Sequence, residues 1–389
     1  MTAGQQNLGG WPSTELARVL EIDFPIIQGP FGGGLSSPEL AASVSEAGGL
    51  GSFGAHLLEP GEIGEVVAAI RHLTSRRFAI NLWVSNHDVA EEDVDHEQLD
   101  AARASLAPLY EELGIEPPSY PERFSPLFTE QAEAMLSARP PVFSFVFGVP
   151  PADILDACRA QGIRTVGTAT TPDEAVALEE AGVDAIVASG FEAGGHRGSF
   201  LDTAEASLTG TMPLVPVIAD EVGVPVVAAG GIADGRGIAA ALTLGAAGVQ
   251  IGTAFLATEE SNAPAIHRSL LFDRAARRTR LTRAYTGRLA RGIPNRIVEA
   301  LSAPEATIAP YPYQGYLVKP LRGPATEAGR DDLISLWAGQ AAPLLRHRSA
   351  RELFDSLVDE VGALAGSTSI SDGARTPSGD AKEPTKGAS

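Results

Sequence analysis

Short apolar runs rich in β-branched residues alternate along this chain with longer segments of mixed polarity. In VDAIVAS (residues 183–189), for example, the apolar residues do not alternate with polar ones. Such continuous runs are typical of strands that are buried on both faces of a parallel sheet. Strands separated by segments of helical length predict repeated βαβ units.

The boundaries of the helical segments carry matching signals. Glycine follows the ends of several predicted helices, as in EEAGVDAIVAS (residues 179–189) and LGAAGVQIGT (residues 244–253). Glycine is favoured there because it adopts the left-handed conformation that ends a helix. Pro38 and Pro172 follow Ser37 and Thr171, which predicts two helix starts, and Glu174 has the spacing of a capping box with Thr171.

Eight strands are predicted, which favours a closed (β/α)8 TIM barrel over an open sheet. We expect the barrel to occupy residues 15–260, with a helical insertion at 85–141. Residues 261–365 are predicted to form a helical lid or subdomain that completes the barrel, and residues 366–389 a disordered tail. The predicted strands are residues 25–29, 49–53, 78–83, 142–147, 163–167, 184–189, 225–229 and 248–252.

Composition narrows the classes of function. The 389 residues carry a formal net charge of −20, which disfavours binding to nucleic acid or to anionic membranes. Neither a signal peptide nor an apolar run of membrane-spanning length is recognisable, so we expect a cytoplasmic protein. The single cysteine, Cys158, excludes a disulfide framework and a cysteine-rich metal site, and no metal is expected.

Two glycine-rich loops predict a phosphate site. Active sites of TIM barrels lie at the carboxyl ends of the strands, and the loops after the last two strands often bind phosphate. Gly230 and Gly231 follow the seventh predicted strand, and Gly252 and Thr253 follow the eighth. Glycine lets backbone N–H groups approach an anion closely. The alternative is that these glycines serve only tight turns.

The stretch GFEAGGHRGSF (residues 190–200) follows the sixth predicted strand. Its glycines would let a flat ligand lie against the backbone while His196 faces that ligand. Histidine titrates near neutral pH, which favours His196 as a catalytic acid or base over a purely structural role. We expect Arg197 to hold an anionic substrate or to pair with an acid such as Glu192. The other histidines, including His56 and His267, are predicted to have no catalytic or metal-binding role.

Several stretches together resemble the nitronate monooxygenases, formerly called 2-nitropropane dioxygenases. The glycine loops alone are shared with related FMN barrels, but the combination is specific. The stretches are PIIQGPFGGGLSSPELAASVSEAGGLGSFG, NLWV, FSFVFGVPP, GFEAGGHRGSF, AAGGIADGRGIAAALTLGAAGVQIGTAFLATEES, YTGRLARGIPNR, YPYQGYLVKPLR and ISLWAGQAA.

The resemblance implies a TIM barrel that binds FMN and oxidises alkyl nitronates with O2 to a carbonyl compound and nitrite. For neutral nitroalkanes, it implies that His196 removes the α-proton. Tyr110, Tyr311 and Lys319 would line the substrate pocket. The implied FMN-binding residues are Gln28, Gly29, Pro30, Phe31, Asn81, Gly195, Gly210, Gly230, Gly231, Gln250, Ile251, Gly252 and Thr253.

Two departures from the family pattern concern the contacts with the flavin. Glu205 lies where many members have a glutamine before the position of Gly210, and FGGGLS replaces a methionine-containing first loop. An NAD(P)H-dependent FMN reductase of enones or quinones, like the enoyl-acyl-carrier reductases, remains the alternative function. A non-enzymatic flavin-binding role is a third reading, and the sequence leaves a homodimer open.

Overall fold

A computed structural model of the chain describes residues 10–84 and 94–370, with side chains as far as residue 365. Eight parallel strands run around a barrel in the order β1-β9-β8-β6-β5-β4-β3-β2, and a bridge between Ile27 and Leu50 joins β1 to β2. The predicted TIM barrel is thereby confirmed. The strands are β1 (Ile26–Gln28), β2 (Gly51–Gly54), β3 (Phe78–Trp83), β4 (Val142–Val146), β5 (Arg164–Ala169), β6 (Ala185–Ser189), β8 (Val226–Ala229) and β9 (Gly248–Ile251).

The barrel helices surround these strands and begin where the sequence predicts. Ser37 caps its helix by accepting a hydrogen bond from Leu40 N at 3.0 Å, and Pro38 occupies the first turn. The helices that cover the barrel are α2 (Pro38–Glu46), α3 (Pro60–Leu73), α5 (Phe128–Ala138), α6 (Ala152–Gln161), α7 (Pro172–Glu180), α8 (Thr211–Glu221) and α9 (Gly235–Thr243).

The predicted capping box at α7 is only half formed. Thr171 accepts from Glu174 N at 3.2 Å, but the Glu174 carboxylate bonds Thr170 N at 2.6 Å instead of returning to Thr171. The other carboxylate oxygen accepts from Phe200 N at 2.5 Å and Leu201 N at 3.2 Å. This fully buried acid therefore ties α7 to the loop that follows His196.

One end of the barrel is closed by the first helix, α1 (Glu15–Leu20). Leu16 and Leu20 are fully buried against residues at the starts of the strands, among them Ile27 and Ala247. A Cβ on Gly248 would lie 2.7 Å from Pro25 O, so the backbone at the start of β9 packs directly on the residue before β1. Because α1 fills the amino-terminal end, the accessible end of the barrel is the carboxyl one.

The remaining elements build a second layer over that carboxyl end, with its own buried core. Glu112, in α4 of the insertion, pairs with Arg330 at 2.7 Å and also with Arg296, which fastens the insertion to the C-terminal segment. The helices of this layer are α4 (His96–Leu113), α10 (Thr253–Leu256), α11 (Ala265–Leu271), α12 (Arg296–Ala300), α13 (Tyr313–Val318) and α14 (Arg322–Glu327).

The segment predicted as a helical subdomain also contains two strands. β10 (Arg280–Thr282) and β11 (Ala290–Gly292) form a small antiparallel sheet with β7 (Gly195–His196) from the loop after β6. The last helix, α15 (Ala350–Ile370), returns to pack on α9 and α2 and extends into the predicted tail. Residues 371–389 lie outside the described part of the chain. Among the described helices, none is both long and apolar enough to cross a membrane.

Candidate active site

A cavity of about 1230 Å³ lies at the carboxyl ends of the barrel strands, beneath the second layer. Ligand pockets are commonly about 300–1,000 Å³, so the space accommodates a cofactor together with a small substrate. The walls come from the loops after β1, β6, β8 and β9 and from the ends of β2 and β3. The rest of the wall comes from the ends of β4 and β5 and from residues 123–126, 262–264, 285–286 and 311–341.

The glycine loops predicted to bind phosphate meet at one side of this cavity. Gly230 and Gly231 adopt positive φ angles of 102° and 74°, which few other residues tolerate. Gly252 precedes α10, in which Leu256 N makes the first helical hydrogen bond, to Gly252 O. The amides of the first turn therefore have no partner within the helix. This side of the cavity presents backbone donors, as an anion requires.

A loop of the C-terminal segment, which the sequence did not predict to be part of the site, also contacts these glycine loops. Gly339 N donates to Thr253 Oγ1 at 2.9 Å. A Cβ on Gly194 would lie 2.5 Å from Gly339 N, so the two chains are in direct contact there. The C-terminal segment thus closes over the loops after β6 and β9. Of the residues implied to contact flavin, those that line the cavity are Gly29, Pro30, Phe31, Asn81, Gly195, Gly230, Gly231, Gln250, Gly252 and Thr253.

Gly210 lies outside the cavity lining. It precedes α8, and the N–H of Thr211, the first residue of that helix, donates to the two Glu192 carboxylate oxygens at 2.9 and 3.1 Å. A Cβ on Gly210 would lie 3.0 Å from the same carboxylate. The amino terminus of α8 is therefore satisfied by a side chain of the protein.

Gln28, Ile251 and Tyr110 also lie outside the lining. The Gln28 side chain is buried within the barrel, where its Oε1 accepts from Ser52 N at 2.8 Å. Ile251 belongs to the hydrophobic core. Tyr110 donates to Leu317 O at 2.6 Å and packs in the second layer. By contrast, Tyr311 and Lys319 line the cavity as the sequence analysis expected.

His196 lines the cavity and is surrounded by aromatic side chains. β7 places it opposite Ala290 of β11. Its ring centroid lies 4.8 Å from that of Trp83 and 5.0 Å from that of Trp337. Its Nε2 is 2.7 Å from Thr286 Oγ1, which fixes the orientation of the ring. The imidazole is thus held at a defined position by residues from three separate parts of the chain.

This environment changes the acid–base properties expected of His196. Burial, with a smaller contribution from the Arg288 charge, lowers its pKa to about 3. Low-dielectric surroundings and a nearby cation both disfavour the imidazolium. A pKa near neutrality, as expected for His196 from the sequence, is therefore not supported. The imidazole is neutral at pH 7 and has a lone pair that can accept a proton, although the same lowered pKa makes it a weaker base than a solvated histidine.

Arg197 has neither of the two roles expected from the sequence. Its side chain is 5% exposed and is directed into the protein, where it donates to the carbonyl oxygens of Ser189, Thr170 and Ser207. Its Nε also donates to Ser207 Oγ at 3.0 Å. It neither lines the cavity nor bonds Glu192. The guanidinium anchors the glycine loop that carries His196.

Sequence reasoning missed several residues of the aromatic surround. His56 stacks face to face on Trp83, with ring centroids 3.6 Å apart, and both line the cavity. His267 is fully buried, and its Nε2 lies 2.9 Å from Trp337 O. Trp83 ends a predicted strand, and that position was a usable signal. Trp337 had none, because 140 residues separate it from His196 along the chain.

Comparisons with known proteins identify the family of this chain. The nitronate monooxygenase family model matches residues 13–360. The chain is 38% identical to a probable nitronate monooxygenase of Staphylococcus aureus (strain Newman), covering 91% of this chain and 99% of the relative. It is 40% identical to the protein of that name from Staphylococcus haemolyticus, covering 91% and 98%.

Two solved structures share the fold. Nitroalkane oxidase from Streptomyces ansochromogenes superposes with a TM-score of 0.82 at 38% identity, covering 91% of this chain and 99% of the other. FabK from Thermotoga maritima gives a TM-score of 0.70 at 26% identity, covering 92% and 99%. With a family model that spans most of its length and with these relatives, the chain belongs to the nitronate monooxygenase family.

Proposed function

We propose that this protein uses bound FMN and O2 to oxidise alkyl nitronates, and also neutral nitroalkanes, to a carbonyl compound and nitrite. The observation that carries the proposal is that His196 and the glycine loops line one cavity. That cavity therefore combines a proton acceptor with backbone donors suited to a cofactor phosphate. The family membership supports the same activity.

The residues of the cavity fit FMN. Gly230, Gly231, Gly252 and Thr253 would hold the phosphate through their backbone N–H groups. A Cβ on Gly252 would meet only Phe31 Cε1, at 3.9 Å, so the backbone there is open to the cavity. The ring system would lie near the remaining lining residues implied to contact flavin, which are Gly29, Pro30, Phe31, Asn81, Gly195 and Gln250. FMN would supply the electron-accepting chemistry and the reaction with O2.

Three of the assigned residues would act from behind the cavity wall. The Gln28 side chain braces the start of the first loop, Ile251 packs below the phosphate loops, and Gly210 lets the Glu192 carboxylate approach α8. Tyr311 and Lys319 would contact substrate. Tyr110 would support them through its bond to Leu317 in α13. The cytoplasmic location and the homodimer stay predictions of the sequence.

The hydrogen bond to Thr286 specifies how His196 would act. If Nε2 carries the proton and donates to Thr286 Oγ1, the lone pair of Nδ1 is available for the α-proton of a nitroalkane. The imidazole then becomes a cation beside the nitronate that forms, and the two charges stabilise each other. A nitronate arrives without that proton and needs no base.

The low pKa predicts an unusual pH profile. Because the pKa of His196 is lowered to about 3, the imidazole remains neutral at every pH well above that value. We therefore expect kcat/KM for a nitroalkane to stay constant from neutral pH down to about pH 5, with no fall at the usual histidine pKa of ~6.5. Initial rates across this range, measured at constant ionic strength, give the pH profile of kcat/KM. A fall centred near pH 6.5 would contradict the assigned environment.

The proposed activity is tested by anaerobic mixing of the flavin-loaded protein with ethyl nitronate or, separately, with NADH. The expected result is that the flavin absorbance bleaches with the nitronate and persists with NADH. Admission of air should then yield nitrite. Bleaching by NADH alone would instead favour the reductase of enones or quinones. Bleaching by neither would overturn both functions.

A further inference from the structure

The stretch YTGRLARGIPNR (residues 285–296) is part of the family resemblance, but its sequence predicts no function for any of its residues. In the fold it forms the turn and strand that lie against β7. Thr286 contacts His196, and Gly287 adopts a φ of 87°. A Cβ on Gly287 would lie 2.5 Å from Ala309 O, so only glycine fits this turn. The next residue, Arg288, is thereby held in one place beside the cavity.

The guanidinium of Arg288 lies against three aromatic rings. Its Cζ is 3.8 Å from the ring centroid of Phe147, 4.1 Å from that of Tyr311 and 5.4 Å from that of Trp83. All three rings line the cavity. A cation is attracted to the faces of aromatic rings, so this packing keeps the charge fixed and partly desolvated. Arg288 therefore carries a positive charge just behind the wall that faces the substrate.

An anionic substrate needs such a charge in this protein. The formal net charge of −20 creates a long-range field that repels anions. Local cations must overcome that field where the nitronate binds. Three cations of the described residues line the cavity: Arg123 pairs with two glutamates, Arg322 donates to Gly33 O in the first loop, and Lys319 is exposed to solvent. Arg288 differs from these three because its charge lies against Trp83, the ring that packs on His196.

We propose that Arg288 is a positioning residue that makes the cavity beside His196 electrostatically positive and so retains a planar anion there. The ligand is an anion of the nitronate class, and this identity rests on the proposed function. The charge acts through the aromatic wall formed by Phe147, Tyr311 and Trp83. In the reaction of a nitroalkane, the same charge stabilises the nitronate as it forms.

The titratable groups around His196 agree with this role. Arg288 and Tyr285 approach from the turn before β11, His56 from the end of β2 across Trp83, and Tyr311 from the segment before α13. After burial, the Arg288 charge is a cause of the lowered pKa of His196, and it also lowers the pKa of His56. Removal of the charge should therefore raise the pKa of His196.

Three variants of the flavin-loaded protein separate charge from packing. R288Q removes the charge, R288K keeps it without the planar stacking, and R280Q removes an exposed cation from β10 as a matched control. Sodium nitrate is the probe, because it is a planar anion that cannot react, and its Kd is measured by calorimetry at fixed ionic strength. We expect R288Q to raise this Kd about tenfold, as loss of one nearby charge would, with R288K and R280Q within about threefold of wild type.

The kinetics supply a second readout. R288Q should raise KM for ethyl nitronate more than it lowers kcat, and should move the acidic limb for nitroethane upward by about one pH unit. Wild-type affinity for nitrate in R288Q, or a loss in R288K equal to that in R288Q, would overturn the inference. If R288Q does not fold, R288M supplies the uncharged variant, and the same two outcomes decide the inference. If the wild type yields no nitrite from ethyl nitronate, the proposed function fails, and nitrate binding alone decides the role of Arg288.

Discussion

Replacement of His196 by asparagine is expected to lower turnover of nitroethane by ~10²–10⁴-fold and to leave turnover of ethyl nitronate much closer to wild type. The neutral substrate must lose a carbon-bound proton, and a positioned base contributes about that factor. The nitronate has already lost it. Asparagine keeps a polar group of similar size within the surround of Trp83 and Trp337, so bound flavin should be retained. Steady-state rates with both substrates, and the flavin spectrum, measure the effect.

His72→Asn is the matched control, because His72 is exposed on α3, away from the cavity. It should change neither rate. Equal loss with both substrates in His196→Asn, with flavin still bound, would mean that His196 positions substrate or flavin and is not a base. No loss with either substrate would assign His196 a structural role only.

Replacement of Gly252 by valine is expected to abolish or greatly weaken FMN binding while the barrel stays folded. The new side chain would project into the open space where the backbone must approach the phosphate. Gly252 has a φ of −97°, so valine introduces no left-handed strain there. Gly231 is the weaker test, because its φ of 74° would strain any side chain. Flavin content after purification, and the Kd for added FMN, measure the loss.

Gly64→Val is a suitable control, because a Cβ on Gly64 of α3 meets nothing within 4 Å. It should bind flavin normally, and both variants should keep the circular dichroism of the wild type. Wild-type flavin content in Gly252→Val would remove the phosphate from this loop. The proposal would then need another site for the anion within the cavity.

Much of the barrel was predictable, because strands and helix ends depend on local sequence. All eight predicted strands are observed, and all of their ends agree within two residues. An apolar run such as that ending at Ser189 can be buried on both faces wherever it lies in the sheet. Helix caps such as Ser37 also depend on a few neighbouring residues. The position of the cavity followed from the fold class, since barrel sites lie at the strand ends.

The short sheet of β7, β10 and β11 was not predictable in the same way. Each strand has two or three residues, too few for a pattern, and β7 pairs with a segment nearly 100 residues away. For the same reason Thr286 could not be linked to His196 from sequence. Gly210 is a case in which the sequence suggested a role that the fold does not support. A glycine there is compatible with phosphate binding, but the Glu192 carboxylate already accepts from the first N–H group of the helix that follows.

The sequence by itself determined the order of strands and helices, the end of the barrel that carries the site, and the glycines at which backbone faces the cavity. Only the tertiary structure decided the charge state of His196 and the direction of Arg197. It also brought Arg288 behind the aromatic wall. The physical reason is that backbone conformation depends on near neighbours. Desolvation and charge–charge interactions depend instead on whatever the fold brings within a few ångströms.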